Sequence, residues 1–174
     1  MDRFSSGRRY LLCGVAALSL LSAACSWLGP PPMEPLTKTA LEAAEHRWEA
    51  HGSDSYHLVV RVRPPRADPA VYDVVVKGGE VAGIERDGQA VPLVDTEDYS
   101  VSGLFHLLRE DVRLTEVRPV GDTPRVDLRV LFDAETGRLE RYRRTVGSNR
   151  PRNLQVEVLK YEPLAGGERH GLAR

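Results

Sequence analysis

The feature that most constrains this chain is a period-two alternation that recurs along it. In "SYHLVVRVR", Tyr56, Leu58, Val60 and Val62 alternate with His57, Val59, Arg61 and Arg63. Successive strand residues point to opposite faces, so the run predicts a strand with one buried face and one wet face. "AVYDVVVKGGEVAGIER" reads as two β-rich runs joined around Lys77-Gly78-Gly79-Glu80, a hairpin with Tyr72, Val74 and Val76 toward the core. "RVDLRVLFDAETGRLERYRRTV" repeats the plan. Val126, Leu128, Val130 and Phe132 share a face, and Asp133 to Gly137 make the turn. "NLQVEVLKYEP" supplies a last strand with Leu154, Val156 and Val158 on one face.

Two segments switch to the helical period. Leu41, Ala44 and Trp48 fall at i, i+3, i+7, behind a T-x-x-E capping signature at Thr39 and Glu42 and ahead of a stop at Gly52. Val101, Leu104, Phe105 and Leu108 make a stronger amphipathic stripe, which Asp98 or Ser100 can cap. Strands joined by short turns are antiparallel. The expected fold is therefore α+β: an antiparallel sheet of about six strands with two helices on one face, in the order α-β-β-β-α-β-β-β. One sheet face left to solvent agrees with the Arg and Glu residues interleaved among the apolar ones.

The first thirty residues follow a different logic. Arg3, Arg8 and Arg9 precede an apolar run from Tyr10 to Leu21, then Ser22, Ala23, Ala24 and Cys25. A positive start, a short apolar run and a small-residue site is the plan of an export signal. The run falls short of the roughly 20 apolar residues that span a hydrocarbon core. "LSAAC" resembles a bacterial lipobox, with Ser22 standing where leucine is usual. The resemblance implies cleavage before Cys25 and diacylglycerol on its sulfur. Two acyl chains on one residue give stable anchoring. The alternative is plain secretion with Cys25 a free thiol. Ser26 after the cysteine resembles the signal for an outer-membrane destination, facing the periplasm where the host has two membranes.

These features divide the chain into a signal peptide (1–24), the lipidated cysteine and a Pro-rich linker (25–35), one α+β domain (36–164) and a flexible tail (165–174). "GPPPMEP" favours an extended, semi-rigid spacer. The formal net charge of −1 gives no support for nucleic-acid binding.

The order of motifs carries a second resemblance. Trp48, "SYHLVV", "YDVVVKGGEVAGI", "DYSVSGLFHLL", "VLFDAETGRLERYRR" and "NLQVEVLKYEPL" are similar to an uncharacterised family of small bacterial extracytoplasmic domains. The likeness spans about Leu36 to Leu164. Many members carry a cysteine pair after the first strand, where this chain has "RPPRADP". The resemblance implies a fold and no chemistry.

Candidate chemistry is sparse. His46 and His51 are five apart and miss the i, i+4 pairing of a helical metal site. His57 near His51 completes only a loose set, so no metal and no cofactor is expected. Asp95, Glu97 and Asp98 lack the spacing of an EF-hand loop and suit a helix N-terminus instead. There is no G-x-S-x-G, no phosphate loop and no cysteine inside the folded part. A non-catalytic protein is the expectation. The most suggestive group is Arg138, Arg141, Arg143, Arg144, Arg150 and Arg152, a patch suited to lipid phosphates or an acidic envelope protein. Glu140 and Glu157 are the carboxylates that would neutralise it across the sheet.

The reading is thus a membrane-anchored envelope lipoprotein acting as a binding or structural accessory. An envelope hydrolase, a metal-binding protein and a carrier of a hydrophobic ligand are the alternatives.

Overall fold

The computed structural model describes residues 31–93, 97–117, 124–147 and 153–165. From Pro32 on they belong to one compact unit. Cys25, Arg150, Arg152, Asp95 and His170 lie outside the described residues.

Among the described residues the architecture is α+β, with two helices and one antiparallel sheet. The elements are β1 (Glu34–Pro35), α1 (Lys38–His51), β2 (Tyr56–Arg63), β3 (Ala70–Lys77), β4 (Glu80–Arg86) and β5 (Gln89–Ala90). They continue with α2 (Val101–Glu116), β6 (Val126–Phe132), β7 (Leu139–Val146) and β8 (Leu154–Pro163). The sheet has eight strands rather than about six, in the order β1-β6-β7-β8-β2-β3-β4-β5. The expected chain order, α-β-β-β-α-β-β-β, is corrected by two insertions, β1 before α1 and β5 before α2. Both are two residues long, too short for any alternation to mark them. Asp87 and Gly88 make the β4–β5 turn with φ of 51° and 79°. Both central residues thus have the positive φ that a tight two-residue hairpin turn requires. Glu34 and Pro35, at the end of the expected linker, pair with Val130 and Arg129 of β6.

The sheet is two meanders, β6-β7-β8 and β2-β3-β4, joined where β8 lies antiparallel to β2. Register puts the buried apolar residues of the long strands on one side. Leu58 and Val60 in β2, Val74 and Val76 in β3, Val130 in β6, Tyr142 in β7 and Val156 in β8 are all buried in one cluster. Leu41, Ala44 and Trp48 of α1 and Val101, Leu104, Phe105 and Leu108 of α2 complete that cluster, so both helices cover this same face. Burying a residue of this size contributes about 1.5–3 kcal/mol, and the cluster is the main source of stability.

Local chemistry sets the helix ends. The N-cap of α1 is Thr37, not Thr39: its hydroxyl accepts from the Ala40 amide at 3.1 Å. Ser100 caps α2 and accepts from the Gly103 amide at 3.1 Å. Asp98 supports the cap by accepting from the Ser100 amide at 2.8 Å. Gly52 ends α1 with its amide donating to the Trp48 carbonyl at 2.8 Å. Its φ is −74°, so this glycine is there for space: a Cβ would stand 2.5 Å from the Trp48 ring.

Tyr56 joins the halves. Its ring packs edge-on against Trp48 and tilted against Tyr161, and its hydroxyl accepts from the Val101 amide at 3.0 Å. That bond satisfies one of the orphan donors at the start of α2. Burial pushes the Tyr56 hydroxyl up to about 12, an effect partly offset by the Val101 amide.

Candidate functional site

Among the described residues no element covers the sheet face away from the helices, and register arranges its charges in rows. In one row Arg129 of β6 stands opposite Arg143 of β7, Arg143 opposite Gln155 of β8, and Gln155 opposite Arg63 of β2. In the next row Leu131 stands opposite Arg141, Arg141 opposite Glu157, and Glu157 opposite Arg61. Four arginines from two strands, Arg61, Arg63, Arg141 and Arg143, thereby line one shallow concavity of about 280 Å³. Among the described residues that line it, Glu157 is the one carboxylate, and Met33 is part of the lining.

The charges are only partly balanced. Arg61 Nη1 donates to Glu157 Oε2 at 3.1 Å, with both side chains well exposed. Arg129 Nε reaches both Asp127 oxygens at 3.2 Å along its own strand. Exposed pairs of this kind contribute little to stability, about 0–1 kcal/mol. Among the described residues no carboxylate lies within ion-pair distance of Arg63 or Arg143. Guanidinium groups present planar forks of donors that match phosphate and carboxylate oxygens. The concavity is therefore equipped to hold anions.

The expected arginine patch divides. Arg141 and Arg143 lie on the open face, where Arg61 and Arg63 join them from β2. Arg138 is largely buried; its guanidinium lies over the Tyr161 ring at 4.8 Å and within 3.7 Å of Asp133 and Glu140. Arg144 turns to the helix side, where its Nη1 donates to Asp111 Oδ1 at 2.6 Å. Arg150 and Arg152 lie outside the described residues. Strand parity explains the division, since neighbours in sequence point to opposite faces. The sequence marked Arg61 and Arg63 as outward-facing, but not that β8 alone separates β2 from β7.

Asp111 is a buried carboxylate on α2, and Tyr142 Oη donates to its second oxygen at 2.6 Å. Burial first, then the Asp111 charge, pushes the Tyr142 hydroxyl well above the usual tyrosine range. The triad ties α2 to β7. Each oxygen of its carboxylate accepts one hydrogen bond, from Tyr142 and from Arg144. It borders a second concavity of about 460 Å³ with Leu114, Val126 and Val146.

The opposite end of the open face is acidic. His57 Nε2 lies 2.6 Å from Asp73 Oδ1, and its Nδ1 lies 3.8 Å from Glu162 Oε2. Lys160 holds that glutamate at 2.9 Å and keeps its carboxyl below the usual range, with His57 adding to the effect. The two carboxylates meet different ring nitrogens, so the three groups do not converge on one point. Among the described residues no group of three or more such side chains could hold a metal ion. His46 and Glu49 form an exposed contact at 3.6 Å. Of the acidic cluster, Glu97 accepts from the Tyr99 hydroxyl and Asp98 serves the α2 cap.

No protein-family model matches the chain, and no curated protein is significantly similar to it. Among the described residues no helix is long and apolar enough to cross a membrane.

Proposed function

We propose that this chain is a bacterial cell-envelope lipoprotein, anchored through a diacylated Cys25, whose α+β domain is a non-catalytic binding module. Its working surface is the open sheet face, and its partner is anionic. One observation carries the reading: Arg61, Arg63, Arg141 and Arg143 converge on a concavity where, among the described residues, Glu157 is the one carboxylate. Like charges set opposite one another across a sheet cost stability. A row such as Arg129–Arg143 is therefore a poor way to build a sheet and a good way to meet negative charge. The resemblance at Leu21 to Cys25 supports the anchor, and the outer membrane facing the periplasm is the proposed site where the host has two membranes. No cofactor belongs to this reading.

Crosslinking in intact cells followed by pulldown tests it. An anionic envelope component should accompany the wild-type chain and be lost from an Arg63→Glu/Arg143→Glu variant. Equal recovery with both chains contradicts the proposal. Mass spectrometry of the membrane fraction should find an acylated N-terminal Cys25; recovery of the unmodified chain in the soluble fraction alone removes the anchor.

A further inference from the structure

We infer that the arginine face docks on the phosphates of anionic phospholipids in the membrane that carries the anchor. The inference rests on the proposed anchoring and names the partner of the same face. Its first support is where the chain enters the domain. Met33 lines the arginine concavity, and Pro35 pairs beside Arg129 at the sheet edge. Only eight residues lead from Cys25 to Met33. Even fully extended, such a segment reaches at most about 29 Å, and about 25 Å as polyproline II. The arginine face is thus within the tether's reach of the headgroups, and a short tether gives a high local concentration of phosphate.

The second support is the layout of charge. Arg61 and Arg63, and likewise Arg141 and Arg143, are two residues apart on strands separated by β8. Sheet spacings make this a rectangle of about 7 by 10 Å at the backbone. At one end of it Arg63 and Arg143 have no carboxylate partner among the described residues, and their two donor forks suit neighbouring phosphates of a surface more than one small ion. Asp73, Glu85 and Glu162 outnumber Lys160, which pairs with Glu162, at the far end of the face. An anionic surface repels that end and draws in the Arg63–Arg143 end, so the domain docks tilted, basic end down.

The test uses the acylated chain extracted from membranes and reconstituted in vesicles of phosphatidylcholine, with or without phosphatidylglycerol. A cysteine at Gln155→Cys, in the centre of the arginine row, is reacted with a water-soluble maleimide. Ala43→Cys on the exposed side of α1 is the control. Reaction at position 155 should slow on phosphatidylglycerol vesicles only, while position 43 stays reactive on both. Adding Arg63→Glu/Arg143→Glu should shift the docking equilibrium by at least about 30-fold toward the free state, the effect of two surface charges. High salt should do the same. The milder Arg63→Gln/Arg143→Gln variant gives the same readout should the reversal unfold the domain. Equal reactivity at position 155 on both vesicles overturns the inference. Loss of cellular crosslinks in the reversal variant without vesicle protection identifies an acidic protein partner, so the lipid inference fails while the binding face stands. Absence of the chain from the vesicles instead overturns the anchor.

Discussion

Arg129 and Arg143 stand directly opposite each other across β6 and β7, two like charges on the open face of one sheet. Asp127 engages the first, and no described carboxylate reaches the second. The pair works against the fold that holds it. Arg143→Gln should therefore leave stability unchanged or raise it by up to about 1 kcal/mol, read by urea unfolding, while weakening partner binding. A clear loss of stability would assign Arg143 a structural role instead.

The Asp111 triad should behave in the opposite way. Asp111→Ala leaves Arg144 and Tyr142 without their acceptor beneath α2. Removing one partner of a buried pair typically costs 3–5 kcal/mol, and the partial exposure of Arg144 places the expected loss near the lower end, about 3 kcal/mol. A triple change to Asp111→Leu, Tyr142→Phe and Arg144→Met should recover most of it in the same unfolding assay. A triple variant no more stable than Asp111→Ala would show that the charges contribute net stability.

Gly137 offers a test of how the second meander meets α1. It has φ of +75°, and a Cβ there would stand 2.2 Å from the Ala44 carbonyl. Gly137→Ala combines backbone strain with a clash against helix backbone. The expected loss is about 2–3 kcal/mol, measured as a shift in denaturant midpoint.

Alkaline pH should unfold the protein through its buried tyrosines. Tyr56 rises to about 12 by burial, and Tyr99 and Tyr142 are raised further, by burial and by the carboxylates of Glu97 and Asp111. The unfolded chain ionises its tyrosines near 10. The native state thus holds these protons more tightly, which contributes stability in full below pH 10. That stability is lost as pH rises from 10 through about 12. Phenolate absorbance of these three residues should appear together with loss of circular dichroism, rather than before it. Tyr142→Phe should shift the transition to higher pH.

The long elements were readable because their periods are strong. Val101, Leu104, Phe105 and Leu108 repeat as a helix face, and all four are buried. Tyr56 to Val62 alternates, and the apolar set is buried throughout. The missed strands have no period: Glu34–Pro35 and Gln89–Ala90 are two residues each. The Asp87-Gly88 pair was the available signal for β5, since that dipeptide favours the turn it makes. The site was half legible. Parity alone separates Arg141 and Arg143 from Arg144. Adjacency of β2 and β8 depends on contacts almost a hundred residues apart, as Arg61 with Glu157 shows, and no local pattern encodes it.

The most direct measurement is thermal unfolding of the protein titrated with inorganic tripolyphosphate, a soluble polyanion that isolates recognition by the open face from any membrane. A ligand at about ten times its dissociation constant stabilises by about 1.4 kcal/mol, a rise of roughly 3–6 °C for a domain of this size. The wild-type chain should show that rise and lose it at high salt, and Arg63→Glu/Arg143→Glu should show none. An equal rise in both proteins, or none in either, would contradict an anion-binding role for the arginine face.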